Sequence, residues 1–184
     1  MSSATQILRD EHDKILEMLG CLEVLVQRLA AGELFAVETL NDLTEFFVLF
    51  ADRSHHGKEE DLLFPLMEQK GVPRERGPLG CVLGEHDEGR AFVRRMKQNM
   101  KESACGNEAA RRAWIAAVRG YAQLLRNHIS KENEILFQLA ENILSSEEQA
   151  ELAVRFAQVQ TQKLDQATLS KLERIAQELA AAAE

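Results

Sequence analysis

The chain has 184 residues, of which 45% are hydrophobic and 28% charged, and its formal net charge is −8. That length makes one domain, or one domain with a tail, and buries enough surface to fold without disulfide or metal staples. The acidic balance argues against nucleic acid as a partner, no apolar run approaches the ~18 residues of a membrane span, and Met1–Thr5 has neither a basic start nor an apolar signal core, so a cytoplasmic location is expected.

The chain is rich in Ala, Leu, Glu, Gln and Arg, strong helix formers, and shows no sustained alternation of apolar and polar residues, so the expected class is all-α. A first helix is predicted from about Ser3 to Ala30. It opens on the capping-box pair Ser3 and Gln6, carries the apolar stripe Ile7, Leu8, Ile15, Leu19, Leu22, Val26, and ends at Gly32. A second is predicted over Val37–Gln69, with Phe47, Ala51, His55, Leu62 and Leu66 near one face. The stretch Gly71–Gly80, with two prolines and three glycines, breaks the pattern. A third helix spans about Leu79–Glu102. A fourth starts at the N-cap Asn107 and runs to about Leu144, and Ser145, Ser146, Glu148 and Gln149 open a further helical segment with an interruption near Thr168. Short turns between long helices predict an up-down-up-down four-helix bundle over residues 1–145, with an additional C-terminal helical segment, 146–184, packed on it. The cysteines Cys21, Cys81 and Cys105 lack paired short spacing and read as free thiols of a reducing compartment.

One pattern is written twice. Glu11-His12-Asp13 is followed, 43 residues after His12, by His55-x-x-x-Glu59, and Glu85-His86-Asp87 is followed, 42 residues after His86, by His128-x-x-x-Glu132. Residues four apart share a helix face, so His55 with Glu59 and His128 with Glu132 each reach one point of a core, joined by His12 and His86. Four buried imidazoles and two buried carboxylates without a metal would be costly. The pattern therefore points to two cations: His12 and His55 on one, His86 and His128 on the other, with Glu59 and Glu132 bridging. Mixed imidazole and carboxylate ligation suits iron, and manganese or zinc less specifically. Mutual repulsion of the ions is offset by the carboxylates and by an oxo or hydroxo bridge.

His56 and Glu60 repeat the spacing of His55 and Glu59. Aligning the copies places Lys58 on Lys131 and Phe64 on Phe137, and puts His56 opposite Ile129, about 100° around an α-helix from the inward face. His56 and Glu60 are accordingly expected to flank the site. Glu11 and Glu85, with Asp13 and Asp87, are candidates to accept hydrogen bonds from ligand imidazoles. Arg90, four after His86, points at the site, to reach an anionic metal ligand or a nearby carboxylate. Tyr121, seven before His128, shares its face. Gly84 and Gly89 bracket His86 and call for close packing or an entry path.

The residues His12, His55-x-x-x-Glu59 with Leu63-Phe64-Pro65, Glu85-His86, and His128-x-x-x-Glu132 with Leu136-Phe137 resemble the hemerythrin-like family, the HHE cation-binding domain. The resemblance covers about residues 1–145 and implies a four-helix bundle around a non-haem di-iron centre. Oxygen-carrying members place a second histidine four after that of the third helix, where this chain has Arg90, and commonly an aspartate five after that of the fourth, where it has Glu132 at four. Each iron would then have five ligands and an open position, which favours reaction with oxygen, peroxide or nitric oxide over reversible carriage. The family includes proteins that repair iron–sulfur clusters, usually with an N-terminal cysteine-bearing segment, and no cysteine precedes His12 here. The leading expectation is a di-iron protein that binds or reduces a small diatomic or peroxide ligand, drawing electrons from an unidentified donor, as a monomer or homodimer. The alternative is an oxygen, redox or iron sensor or storage module without turnover. A ferritin-like oxidase would need Glu-x-x-His pairs on two helices, and neither copy has one.

Overall fold

Residues 3–163 and positions 167, 168, 170, 171, 174 and 177 are described by the structure, a computed structural model. They are helical, with no strand among them. Helix α1 spans Ala4–Ala30. A second, continuous run is built from α2 (Val37–Phe46), the π-helical segments π1 (Phe47–His56) and π2 (Glu59–Leu63), and α3 (Phe64–Gln69). Helix α4 covers Gly77–Ala104. A last long run joins α5 (Glu108–Lys131), π3 (Glu132–Leu136) and α6 (Phe137–Ile143), and α7 follows over Ser146–Lys163.

The ends of the helices follow from local chemistry. Ser3 Oγ accepts from the Gln6 amide, but the Gln6 side chain turns to Asp10 at 2.7 Å, so only half of the expected box forms. Asn107 caps α5 by accepting from the Ala109 and Ala110 amides. At α7 the box is complete, the Ser145 amide donating to Glu148 and the Glu148 amide to Ser145 Oγ. Helix α4 starts two residues earlier than expected, at Gly77, because Pro78 in the first turn lacks an amide proton that would have no partner there. A Cβ on Gly80 would lie 2.8 Å from the Glu75 backbone, so only glycine lets the preceding loop fold back onto this turn.

The π segments were not anticipated. Segments π2 and π3 begin at Glu59 and Glu132, aligned positions of the repeat. Pro65 follows π2, yet π3 forms without a proline, so the wider turn belongs to the repeated motif rather than to Pro65. Segment π1 has no counterpart, since residues 120–129 of the second copy lie in regular α-helix.

Two apolar clusters lie on either side of a polar layer. One gathers Ile15, Leu19, Phe47, Trp114, Tyr121, Leu125 and their neighbours, and the other Leu8, Leu63, Phe64, Val82, Leu136, Phe137 and theirs. Helix α1 passes from Leu8 through His12 to Ile15. The second run passes the opposite way, from Ala51 through His55 and Glu59 to Leu62. Helix α4 goes from Val82 through His86 to Met96, and the last run from Leu125 through His128 and Glu132 to Leu136. Helix α7 packs against α1, π1 and π2, and Leu152 and Phe156 complete the second cluster. Beyond it, Lys171 pairs with Glu45 and Asp42. Residues 164–166, beside the interruption expected near Thr168, lie outside the described residues.

Candidate metal centre

All six sequence-predicted ligands meet in the polar layer. His12, His55, Glu59, His86, His128 and Glu132 are each at most 2% exposed. His12 Nε2 and His55 Nε2 lie 2.9 Å apart, and His86 Nε2 and His128 Nε2 3.1 Å apart. The carboxylates lie between the two imidazole pairs. Glu59 reaches His55 Nε2 at 3.5 Å with one oxygen and His86 Nε2 at 3.6 Å with the other. Glu132 Oε2 is 3.1 Å from His12 Nε2 and 3.2 Å from His128 Nε2, and its Oε1 is 3.9 Å from His86 Nε2.

The opposite nitrogen of each imidazole has a partner on another helix. His55 Nδ1 meets Glu11 Oε2 at 3.0 Å, and His128 Nδ1 meets Glu85 Oε2 at 3.0 Å. The acid that precedes each first histidine thus serves the histidine of the neighbouring run rather than its own. His12 Nδ1 meets Asn133 Oδ1 at 2.9 Å and His86 Nδ1 meets Glu60 Oε1 at 2.7 Å. Asn133 and Glu60 are aligned positions of the repeat, so the outer contacts are duplicated along with the inner ones. Lys58 pairs with Glu11 and Lys131 with Glu85. Neither Asn133 nor the lysines were singled out from sequence as outer contacts. The signal was available, since each adjoins a ligand glutamate in both copies.

Glu60 lies outside the six converging side chains, and His56 is further inward than the α-helical rotation predicts. Glu60 holds His86, while His56 is 4% exposed and stacks on His86 with ring centres 3.8 Å apart. The aligned Ile129, in regular α-helix, is equally buried, so the inward side takes in the residue after the ligand histidine in both copies. Arg90 donates to Asp52 at 2.8 Å, Glu60 at 2.7 Å and Asp87 at 3.1 Å, taking the carboxylate alternative. Tyr121 is buried edge-on to Phe47, and burial pushes its hydroxyl up. A Cβ on Gly89 would meet Tyr121 at 3.5 Å, whereas nothing lies within 4 Å of one on Gly84, so close packing does not account for Gly84. A cavity of about 270 Å³ opens beside Gly89 and Tyr121 and ends on His56, His86 and His128.

The electrostatics fit cations. All four oxygens of Glu59 and Glu132 are buried without a hydrogen-bond partner. Burial, and then repulsion from Glu132, raises Glu59 well above the usual carboxylate range. Burial works the same way on Glu132, but the imidazoles of His128 and His12 outweigh it. Burial, and then His12, holds His55 far below the usual imidazole range. The His128 hydrogen bond brings Glu85 down to about 2. Imidazoles with acceptors behind them and orphaned carboxylates between them form a donor set that a metal would satisfy. Two groups have ligating atoms within 4.8 Å of one another: His12, His55, Glu59 and Glu132, and His56, His86 and His128.

Comparison with known proteins agrees. The protein named Iron-sulfur cluster repair protein YtfE in Escherichia coli O157:H7 is 33% identical over 100 residues, 52% of this chain and 45% of that protein. The protein of that name in Shigella boydii serotype 18 is 32% identical over the same extent. The match thus spans less than half the length of these curated relatives. No solved structure matches the chain. A family model described as the hemerythrin HHE cation binding domain matches residues 3–140, well over half of the sequence and all six predicted ligands: the chain belongs to the hemerythrin HHE cation-binding family.

Proposed function

We propose that the protein is a non-haem di-iron protein that binds or reduces a small diatomic or peroxide ligand (oxygen, hydrogen peroxide or nitric oxide). The observation that carries this reading is the pair of buried carboxylates, with four unpartnered oxygens, between two imidazole pairs. His12 and His55 would hold one iron and His86 and His128 the other, with Glu59 and Glu132 shared and an oxo or hydroxo bridge between. Iron bound there supplies redox change and a coordination position for the small molecule. The residues around it orient the imidazoles through Glu11, Glu85, Glu60 and Asn133 and keep water out with two apolar plugs. The 270 Å³ cavity suits a ligand of a few atoms. The alternating order in which the four runs cross the two clusters supports an up-down-up-down bundle, with α7 packed on it. No helix among the described residues is long and apolar enough to cross a membrane, and we place the protein in the cytoplasm with a separate electron donor.

Metal analysis and an optical spectrum of the air-exposed protein test the core of this reading. Paired irons with charge-transfer bands in the near ultraviolet are expected, and a chain that takes up no iron pair refutes it. Catalytic loss of peroxide or nitric oxide supports turnover, while stoichiometric binding alone supports a sensor or store. A second reading, repair of iron–sulfur clusters, is favoured by the similarity to the YtfE proteins. Iron delivery to a damaged cluster protein in vitro would support it, and no transfer from fully loaded protein would refute it.

A further inference from the structure

His56 is the one imidazole that the six-ligand arrangement leaves without a role. It is buried, and neither ring nitrogen has a hydrogen-bond partner. The nearest acceptor to Nδ1, Asp52 Oδ1, is 3.5 Å away, beyond a good hydrogen bond, and the same oxygen already accepts from Arg90 at 2.8 Å. Burying a polar ring without partners is costly. The ring is carried by the π-helical segment π1, whereas the other copy, in regular α-helix, places the buried Ile129 at the aligned position. The ring lies parallel to His86, with 15° between planes, and edge-on to His128 at 5.6 Å. The other side chain in position to complete the ligands here, Arg90, is held outward by three carboxylates and has no lone pair to offer.

We propose that His56 is a seventh metal ligand, the third imidazole on the cation held by His86 and His128. The proposal rests on the two-metal reading above and deepens it. The two sites are then unequal: three imidazoles on one side, two on the other, with Glu59 and Glu132 common to both. The five-plus-five count expected from sequence gives way to six donors on the His86 side, counting the bridge, and five on the His12 side. At the positions equivalent to Asp52 and His56 the other copy has the buried apolar residues Leu125 and Ile129, which offer no further donor.

Iron content and Mössbauer spectra of the loaded wild type, His56→Phe and His56→Ala test this. Phenylalanine keeps the stack on His86 and removes the nitrogens, and alanine leaves room beside the cavity for added imidazole. The wild type should show two inequivalent quadrupole doublets. In His56→Phe one doublet should shift or vanish, with affinity for that iron down at least about tenfold, the scale at which even outer contacts to metal ligands matter. Millimolar imidazole should restore it in His56→Ala. Two irons with both doublets unchanged in His56→Phe would overturn the assignment while leaving the two-metal reading intact. A wild type without an iron pair would overturn both. Circular dichroism of the metal-free variants separates loss of a ligand from loss of the fold. If His56→Ala does not fold, the His56→Phe spectra decide alone.

Discussion

The two halves of the site are copies at their centre and strangers at their rim. Around His12 and His55 the repeat supplies Glu59, Glu11, Lys58 and Asn133. Around His86 and His128 it supplies Glu132, Glu85, Lys131 and Glu60. One shell further out the aligned positions diverge. Asp52, His56 and Arg90 on one side answer to Leu125, Ile129 and Leu16 on the other. One rim is an ion-paired polar patch beside a cavity, and the other is part of the apolar core. A duplicated hairpin would give two equal metals. With His56 ligating as proposed, the divergence at three rim positions would make them unequal and leave the shared carboxylates untouched.

The largest effect should come from the shared centre. Glu59→Ala or Glu132→Ala should abolish two-metal binding, measured as iron per chain, because each carboxylate serves both halves. Glu59→Leu should also raise the melting temperature of the metal-free protein, since it removes a buried carboxylate that repels Glu132. A variant that keeps full iron would break the bridging assignment.

The outer lysines test whether equivalent positions carry equal energy. Lys58 is fully buried against Glu11, whereas the Lys131 side chain is 44% exposed. Lys58→Ala strands a buried carboxylate and should cost about 3–5 kcal/mol in chemical denaturation. Lys131→Ala should cost at most about 1 kcal/mol. Equal losses would erase the contrast. The polar partners of His12 and His86 make a gentler comparison. Asn133→Ala and Glu60→Ala should each weaken iron binding about 10- to 100-fold by titration. Glu60→Ala should be the more severe, because it also releases Arg90.

The smallest effect is a pH dependence of the metal-free protein. His55 and His56 are neutral in the fold, while the unfolded chain protonates them below about pH 6.5. The unfolded state then holds more protons, so stability falls as pH drops from about 6.5 toward the pKa of about 3 to which burial, and then His86, bring His56. His128, raised by Glu132 and Glu85 against burial, opposes this in part, since its contribution is present at low pH and lost as pH rises through its folded pKa. Glu60, drawn down to about 2 by His86 and Arg90 against burial, adds a further loss below about pH 4.5. Melts between about pH 7 and pH 4 should show the decline, shallower in His56→Phe. A flat profile would mean that His55 and His56 protonate within the fold.

Much of this was legible in the chain. Period, caps and the Gly71–Gly80 break located the helices, and the repeat located six converging side chains with the spacing that α-helical faces require. What escaped depended on helix geometry that no residue announces. Counting 100° per residue turned His56 outward, but the inward side is wide enough to bury the residue after the ligand histidine in both copies, in π1 and in the α-helix of Ile129 alike. Adjacency to His12 and His86 marked Glu11 and Glu85 as partners for ligand imidazoles without saying which. The folded side chains reach across to His55 and His128, since an acid next to a ligand on one helix points away from that ligand's own ring.

The π segments also carry a history. An i→i+5 stretch holds more residues than an α-helix of equal length, so each one is a surplus that the chain has kept against a more favourable backbone. Segment π1 has no counterpart in the other copy, so its surplus is a difference in winding between two otherwise aligned runs. The fifth imidazole is instead a matter of side-chain identity, and a single codon, at His56 or Ile129, could erase or duplicate it.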